Sequence, residues 1–534
     1  MAGPWILAVD LGNGGPKVAA IGLDGTIHAE ALRGVSVTIE PDGTATQDAE
    51  EWITATVEAV SEVTSEVAGQ DLHAVAITGQ WGSSVPVGAD GVPVGPVLLW
   101  ADTRGARHVR PIISGPLSVA GYAPHKVLPW LRVTGGAPST SGDDPTGHWQ
   151  VLTHELAEVG RRTAHLLEPV DYLASRMTGV VAATPASMVL SWLTDNRPGA
   201  AVAYVPDLVR RARRDPATLP PLLPTGAVQG TLLPDFAQRF GVRAGVPVIT
   251  GIPDFHAAAV GSGAVAPFQT HLAISTTAWL SAPVPFKKTD FLHTIATVPG
   301  LTAELPLVIN NIDTAGAALT WLREQVIAPH DGLTGGGSGI GAEGAADPAL
   351  PPSFEALTAL AATAPAGCEG VLFAPWLVGE HSPVADKHLR ACWLNLSLRT
   401  TRATLIRSVL EGVAFNTRWL LGYYERFLKQ DVTEIRILGG GAQSDLWCQI
   451  LADVLGRPLD RIADPRQAQL RGIALWARVC LGELTLTEAA AMVPVERRFT
   501  PEPGNRAEYD RLFAEYRRIY PMVKGMHKRL NARG

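Results

Sequence analysis

Short apolar runs recur along this chain, each stopped by a glycine or aspartate turn, with helical patterns between them. Trp5 to Val9 is the first run; Asp10-Leu11-Gly12-Asn13-Gly14-Gly15 follows, then a second run from Val18 to Leu23. Asp24-Gly25 is a hairpin signal, so the chain is expected to open as antiparallel strands joined by a glycine-rich loop. Glu50 to Val67 sets Trp52, Ile53, Val57, Val60 and Val63 at helical spacing. Ala74 to Thr78 reads as a buried strand ending at Gly79-Gln80, and Gly88 to Leu99 repeats the hairpin chemistry before Trp100-Ala101-Asp102-Thr103-Arg104. Thr134 to Thr146, rich in Gly, Ser, Pro and Asp, is expected to be a surface loop. Strands alternating with helices over this length indicate an α/β fold.

Near mid-chain an apolar run, Val246 to Thr250, opens into Gly251-Ile252-Pro253-Asp254, then a small-residue helix closed by Gly261 and Gly263. Asp254 thus sits where a strand stops and a helix starts, a position at which α/β proteins place ligands. Taken alone, it fits an N-cap just as well. Beyond Gly263 the pattern restarts: His271 to Ile274, the polar turn Ser275-Thr276-Thr277, then Ala278 to Val284. This is a weak internal repeat of the Asp10 hairpin, implying two similar domains that each present a turn to a shared cleft. Asp331 to Pro352 is a Gly/Pro/Ala insert without the Gly-Lys-Ser/Thr ending of a Walker loop, and is read as a linker. Thr401 to Phe427 reads as a long amphipathic helix. Glu434 to Leu438 is a strand leading into Gly439-Gly440-Gly441-Ala442-Gln443-Ser444 and a helix that Gly456 stops. Strand, glycine turn and helix start can accept a phosphate or let backbone approach a flat base.

Composition narrows the classes. At 534 residues, two large domains are expected. A net charge of −7 gives no footprint for nucleic acid. The four cysteines are widely spaced, which fits reduced thiols in a cytoplasmic protein rather than a metal site or disulfide framework. No apolar run is long enough to span a bilayer.

The order and wording of these parts resemble the FGGY carbohydrate kinase family from Trp5 to about Gly482. Asp10-Leu11-Gly12-Asn13, with Lys17 after it, is similar to that family's phosphate loop, and Gly439 to Asp453 to its adenosine segment. Phe373 to Pro383 and Trp100-x-Asp102-x-Arg104 match two further runs. Within the family the wording is closest to the xylulokinases, notably at 79–80, 98–104 and 171–179. The resemblance implies two actin-like, ribonuclease-H-like domains with a ligand cleft between them: 1–265 for sugar and 266–534 for nucleotide, with 331–352 as a flexible insert. It implies ATP and Mg²⁺ as cofactors, a sugar or polyol substrate with D-xylulose first, and a homodimer as the default assembly. Asp254 would be the general base, Asp10 would hold Mg²⁺ and Lys17 would offset charge on the transferred phosphoryl. Gly12, Asn13 and Gly14, with Ser275, Thr276 and Thr277, would hold phosphates. Gly440, Gly441, Ala442 and Ser444 would take the adenosine; Gln80, Trp81, Trp100, Asp102, Asp254 and Phe255 would line the sugar pocket.

The chain departs from the pattern at Asn13 (usually Thr), Ser275 (usually Gly) and Gln467 (usually Glu). At Ser275 a Cβ could obstruct the backbone or force a strained positive φ. On the sugar side Gln80-Trp81-Gly82 replaces Gln-Met-His, and Phe255 replaces an Asn. These departures motivate a second expectation, a sugar-binding relative without efficient phosphoryl transfer.

Overall fold

The computed structural model describes residues 3–67, 71–119, 121–327 and 352–532, and among these it contains two large sheets. Trp5–Gly12 pairs antiparallel with Gly15–Gly22 and parallel with Leu72–Gly79. Ile27–Leu32 extends one edge; Pro247–Ile249, Ile252–Pro253 and Val228–Thr231 complete the other side. The second sheet repeats the scheme. Thr270–Ile274 pairs antiparallel with Ala278–Ser281 and parallel with Ile435–Leu438, followed by Leu459–Ile462 and Val495–Phe499. The internal repeat is therefore a repeated hairpin-plus-parallel-strand unit, with its turn at the same end each time.

Period-two alternation assigns the two faces of the first sheet. Trp5, Leu7, Val9, Val75 and Ile77 pack with Trp52, Val60 and Val63 of the helix Ala49–Glu66. The opposite face is mostly small, with Ala8, Ala19, Ala74 and Ala76 beside Ile6 and Ile21. Two helices come close on that alanine face: Asp254–Ser262, and Ala468–Cys480 from the far end of the chain. A Cβ on Gly472 would strike the Ala257 carbonyl, and one on Gly261 the Ala468 carbonyl, so the glycines let the two backbones touch. Gly261 is thus a packing residue inside the helix, and Gly263 at φ 71° is its terminator.

Other expectations change. Asp254 is the first helical residue rather than the cap; Pro253 holds the cap position and no side chain caps the helix. Residues 134–144 are not a surface loop: Asp144 is buried, accepts from Ser139 N, Gly147 N and Trp192 Nε1, and starts a helix at Pro145. Arg402–Leu428 is not amphipathic in the ordinary sense. Most of its length is buried, because sheet strands, the C-terminal helix and neighbouring loops cover nearly every face. The 331–352 insert lies, but for Pro352, outside the described residues. All four cysteines are free, and no helix among the described residues is long and apolar enough to cross a membrane.

Candidate active site

Asp10 occupies the end of the first strand, where its Cα partners are Lys17 on one side and Thr78 on the other. Ile252 pairs with Thr78 and Pro253 with Gly79, and Thr78 Oγ1 donates to the Ile252 carbonyl at 2.8 Å. Three parallel strands therefore end together, and Asp254 emerges one strand away from Asp10. Gly79 is fixed by this closeness, since a Cβ there would lie 2.6 Å from the Leu11 carbonyl oxygen. Lys17 Nζ donates to Asp10 Oδ2 at 3.4 Å, and Asp10 is only 5% exposed. Asp254 keeps part of its surface open while its carboxyl lies deep among protein atoms. Burial, and then the Asp10 charge, push that carboxyl up to about 7, with Lys17 pulling the other way. A carboxyl poised there can take a proton from an alcohol at neutral pH.

The two turns differ in their surroundings. Gly14 has nothing within 4 Å of where a Cβ would stand, so its backbone borders open space. Gly12 is nearly as free, and Asn13 is exposed, its carbonyl held by Gln47 Nε2 at 2.9 Å. In the second turn Ser275 N donates to Thr277 O at 2.8 Å. The N–H groups of Ala315, Gly316 and Ala317 brace the Ser275 and Thr276 carbonyls from behind. Ser275 is not among the positive-φ residues, so the strain anticipated there is absent. In the glycine turn only Gly440 borders open space. Gly441 is pressed against Ile274 and Trp447, and Ala442 is fully buried with its carbonyl taken by Arg461. Ser444 Oγ caps the following helix at Trp447 N. Gly441, Ala442 and Ser444 thus shape the turn from inside, while Gly440 and Gln443 face outward.

Two of the aromatic residues expected to line the sugar pocket meet beside Asp254. Trp81 and Phe255 rings lie 4.9 Å apart at 35°. The Trp81 indole N–H is spent on Ser187 O at 3.1 Å, so the ring offers only its face. Phe255 is buried against Val189, Val298 and Leu307, the last two from the second half of the chain. Trp100 is 48% exposed and available. Asp102 is the exception: it is fully buried, and its carboxylate accepts from Arg104 Nε and Nη2 and from Ala45 N. That pair ties the loop and leaves no carboxylate oxygen for a sugar hydroxyl. Gln80 is likewise buried, between Gln47 and Ser83.

The FGGY family of carbohydrate kinases matches through two models, its N-terminal domain over residues 5–131 and its C-terminal domain over 275–481, together more than half of the chain. The chain belongs to the FGGY family of carbohydrate kinases. This kinase is 24% identical to the xylulose kinase of Bacillus subtilis (strain 168), over 99% of each chain. It is 26% identical to the xylulose kinase of Escherichia coli (strain K12), over 97% of this chain and 99% of that one. The crystal structure of gluconate kinase from Lactobacillus acidophilus shares the two-domain α/β fold at a TM-score of 0.81 and 19% identity, over 99% of both chains.

Several residues that shape this candidate site carried no signal in the sequence. Gln47 links the first turn to Gln80 and to Trp52 Nε1, yet stands in an unremarkable polar stretch. Gly316 allows the second turn to be braced, since a Cβ there would strike the Ser275 carbonyl. Glu168 accepts from Gly82 N at 2.9 Å and sets the backbone beside Trp81. Glu380 accepts from Asp313 N, His381 N and Asn416 Nδ2 behind the Ser275 turn, and burial followed by the Asp313 charge pushes it up to about 8. Only Glu380 carried a signal, as part of the Phe373–Pro383 run; the others gain their roles from distant chain segments.

Proposed function

We propose that this kinase transfers the γ-phosphoryl group of ATP to a hydroxyl of D-xylulose, giving D-xylulose 5-phosphate, with Asp254 as the general base. The observation that carries the reading is the placement of Asp254 beside Asp10 and Lys17 at one sheet end, with its carboxyl held near neutrality. Asp254 would accept the hydroxyl proton as the sugar oxygen attacks in line. Lys17 would offset charge gathering on the phosphoryl oxygens. The first turn and Ser275 to Thr277 would hold phosphates through N–H and hydroxyl groups, and Gly440 would admit the adenosine. Trp81, Phe255 and Trp100 would present ring faces to sugar C–H bonds.

The donor set suits Mg²⁺. Among the described residues no group of three or more His, Cys, Asp or Glu could cage an ion alone, and Mg²⁺ typically binds through one or two carboxylates, phosphates and water. Asp10 would hold it; when bound, the ion neutralises phosphate charge. The domain boundary at 265/266, a homodimer and a cytoplasmic location belong to the same proposal. The unstrained Ser275 turn gives no support to a relative that binds sugar without transferring phosphate.

Coupled ADP release over a panel of ketoses, polyols and sugar acids tests the substrate. D-xylulose is expected to give the highest kcat/KM. A sugar acid or polyol exceeding it by tenfold would replace D-xylulose as the substrate.

A further inference from the structure

Residues 202–222 line an open cavity of about 730 Å³, and none of its lining residues is among the phosphate or sugar residues proposed above. Its walls are mostly aliphatic side chains and prolines, with Val202, Val209, Leu219 and Leu222 among them. Two lining residues are charged: Arg210, which is exposed and paired with Asp207, and Arg214, which is neither. Arg214 is 7% exposed, and among the described residues no carboxylate lies within ion-pair distance of it. Its Nη2 donates to Thr218 O at 3.0 Å, its Cζ lies 4.0 Å over the Trp149 ring, and its buried Nε has no partner. The adjacent Asp215 turns to Ala217 N instead. Burial draws the guanidinium down to about 9.

A buried cation without a counter-ion is costly, and the planar guanidinium fork matches a carboxylate at two points. The volume is that of a small-molecule site. Tyr204 already spends its hydroxyl on Pro220 O at 2.9 Å. The walls therefore carry few free polar groups and match an apolar body better than a polyhydroxylated one. From the cavity, its apolar walls and the unpaired guanidinium, we infer that this is a binding site for a small monocarboxylate with an apolar body, its carboxylate on Arg214.

Calorimetric titration of the full chain with phenylacetate, indole-3-acetate and 4-methylvalerate tests this. At least one is expected to bind saturably, with phenylacetamide and inorganic phosphate at least tenfold weaker. Arg214→Met, which keeps length and removes charge, is expected to weaken binding at least tenfold while sugar phosphorylation persists. Ala203→Trp fills the cavity from an exposed rim position and leaves Arg214 intact; it is expected to abolish binding, and decides the matter if Arg214→Met does not fold. Failure of all three carboxylates to bind, equal binding of the amide, tighter binding of phosphate, or wild-type affinity in the Ala203→Trp protein would each overturn the assignment.

Discussion

Asp254 combines two demands that oppose each other. Its ordinary value is 3.8 and its folded value about 7, so between those values the unfolded chain ionises while the folded chain stays neutral. The stability associated with the neutral carboxyl is full below pH 3.8 and lost as pH rises through 7. Asp254→Asn keeps the shape and removes this titration. In metal-free buffer its melting temperature should match wild type near pH 4 and exceed it by a margin that grows to pH 7 and then levels. A margin independent of pH would contradict the raised carboxyl. At this scale the sequence was legible where a residue's place follows from strand order, as for Asp10, Lys17 and Asp254. At Asp102 and Gln80 the letters do not show what the fold adds, that each side chain is buried and already has protein partners. Arg104, two positions on, closes over Asp102, and spacing alone cannot tell that pair from a ligand site.

The strand-turn-strand elements were readable because their apolar runs are short and their turns carry Gly, Asp and Asn. What the pattern does not show is how closely elements approach. Gly439 has φ 95° and a Cβ there would strike the Ile274 carbonyl, so the glycine turn and the Ser275 turn are locked side by side. Gly439→Ala should therefore cost about 1–3 kcal/mol in unfolding free energy and raise KM for nucleotide more than KM for sugar. A neutral effect on both would mean the two turns do not depend on each other. The helix Arg402–Leu428 shows the converse limit: polar residues at its helical spacing read as a solvent face, whereas Asn416, Glu411 and Arg407 are buried in hydrogen bonds. A buried hydrogen-bonded network and a wet surface have the same letters.

At the scale of the whole molecule, the helix Ala468–Cys480 joins the halves, packing apolar residues onto the first sheet and sending Arg471 to Gly25 O and Arg478 to Leu23 O. A second set of contacts between the halves is thinner: the small apolar cluster of Phe255 and Val189 with Val298 and Leu307, and the hydrogen bonds of Lys287 to Leu131 O, Thr289 to Gly135 O and Gly199 N to Ala303 O. Few buried apolar contacts mark the side that opens more readily. Sugar with nucleotide should therefore lower the radius of gyration in small-angle scattering, and unchanged scattering with both present would contradict closure. The two-domain plan was legible from the repeated hairpin, but the crossing of a C-terminal helix into the first half was not, since it depends on Gly261 meeting Gly472 across the chain. The proposed reaction would draw on both halves at once, on Asp254 from one and the Ser275 turn from the other. The most direct test is D-xylulose-dependent ADP release by wild type and Asp254→Asn at saturating nucleotide. The Asp254→Asn protein is expected to show a kcat lower by about 10²–10⁴-fold with KM for nucleotide unchanged, whereas equal rates in the two proteins would contradict Asp254 as the base.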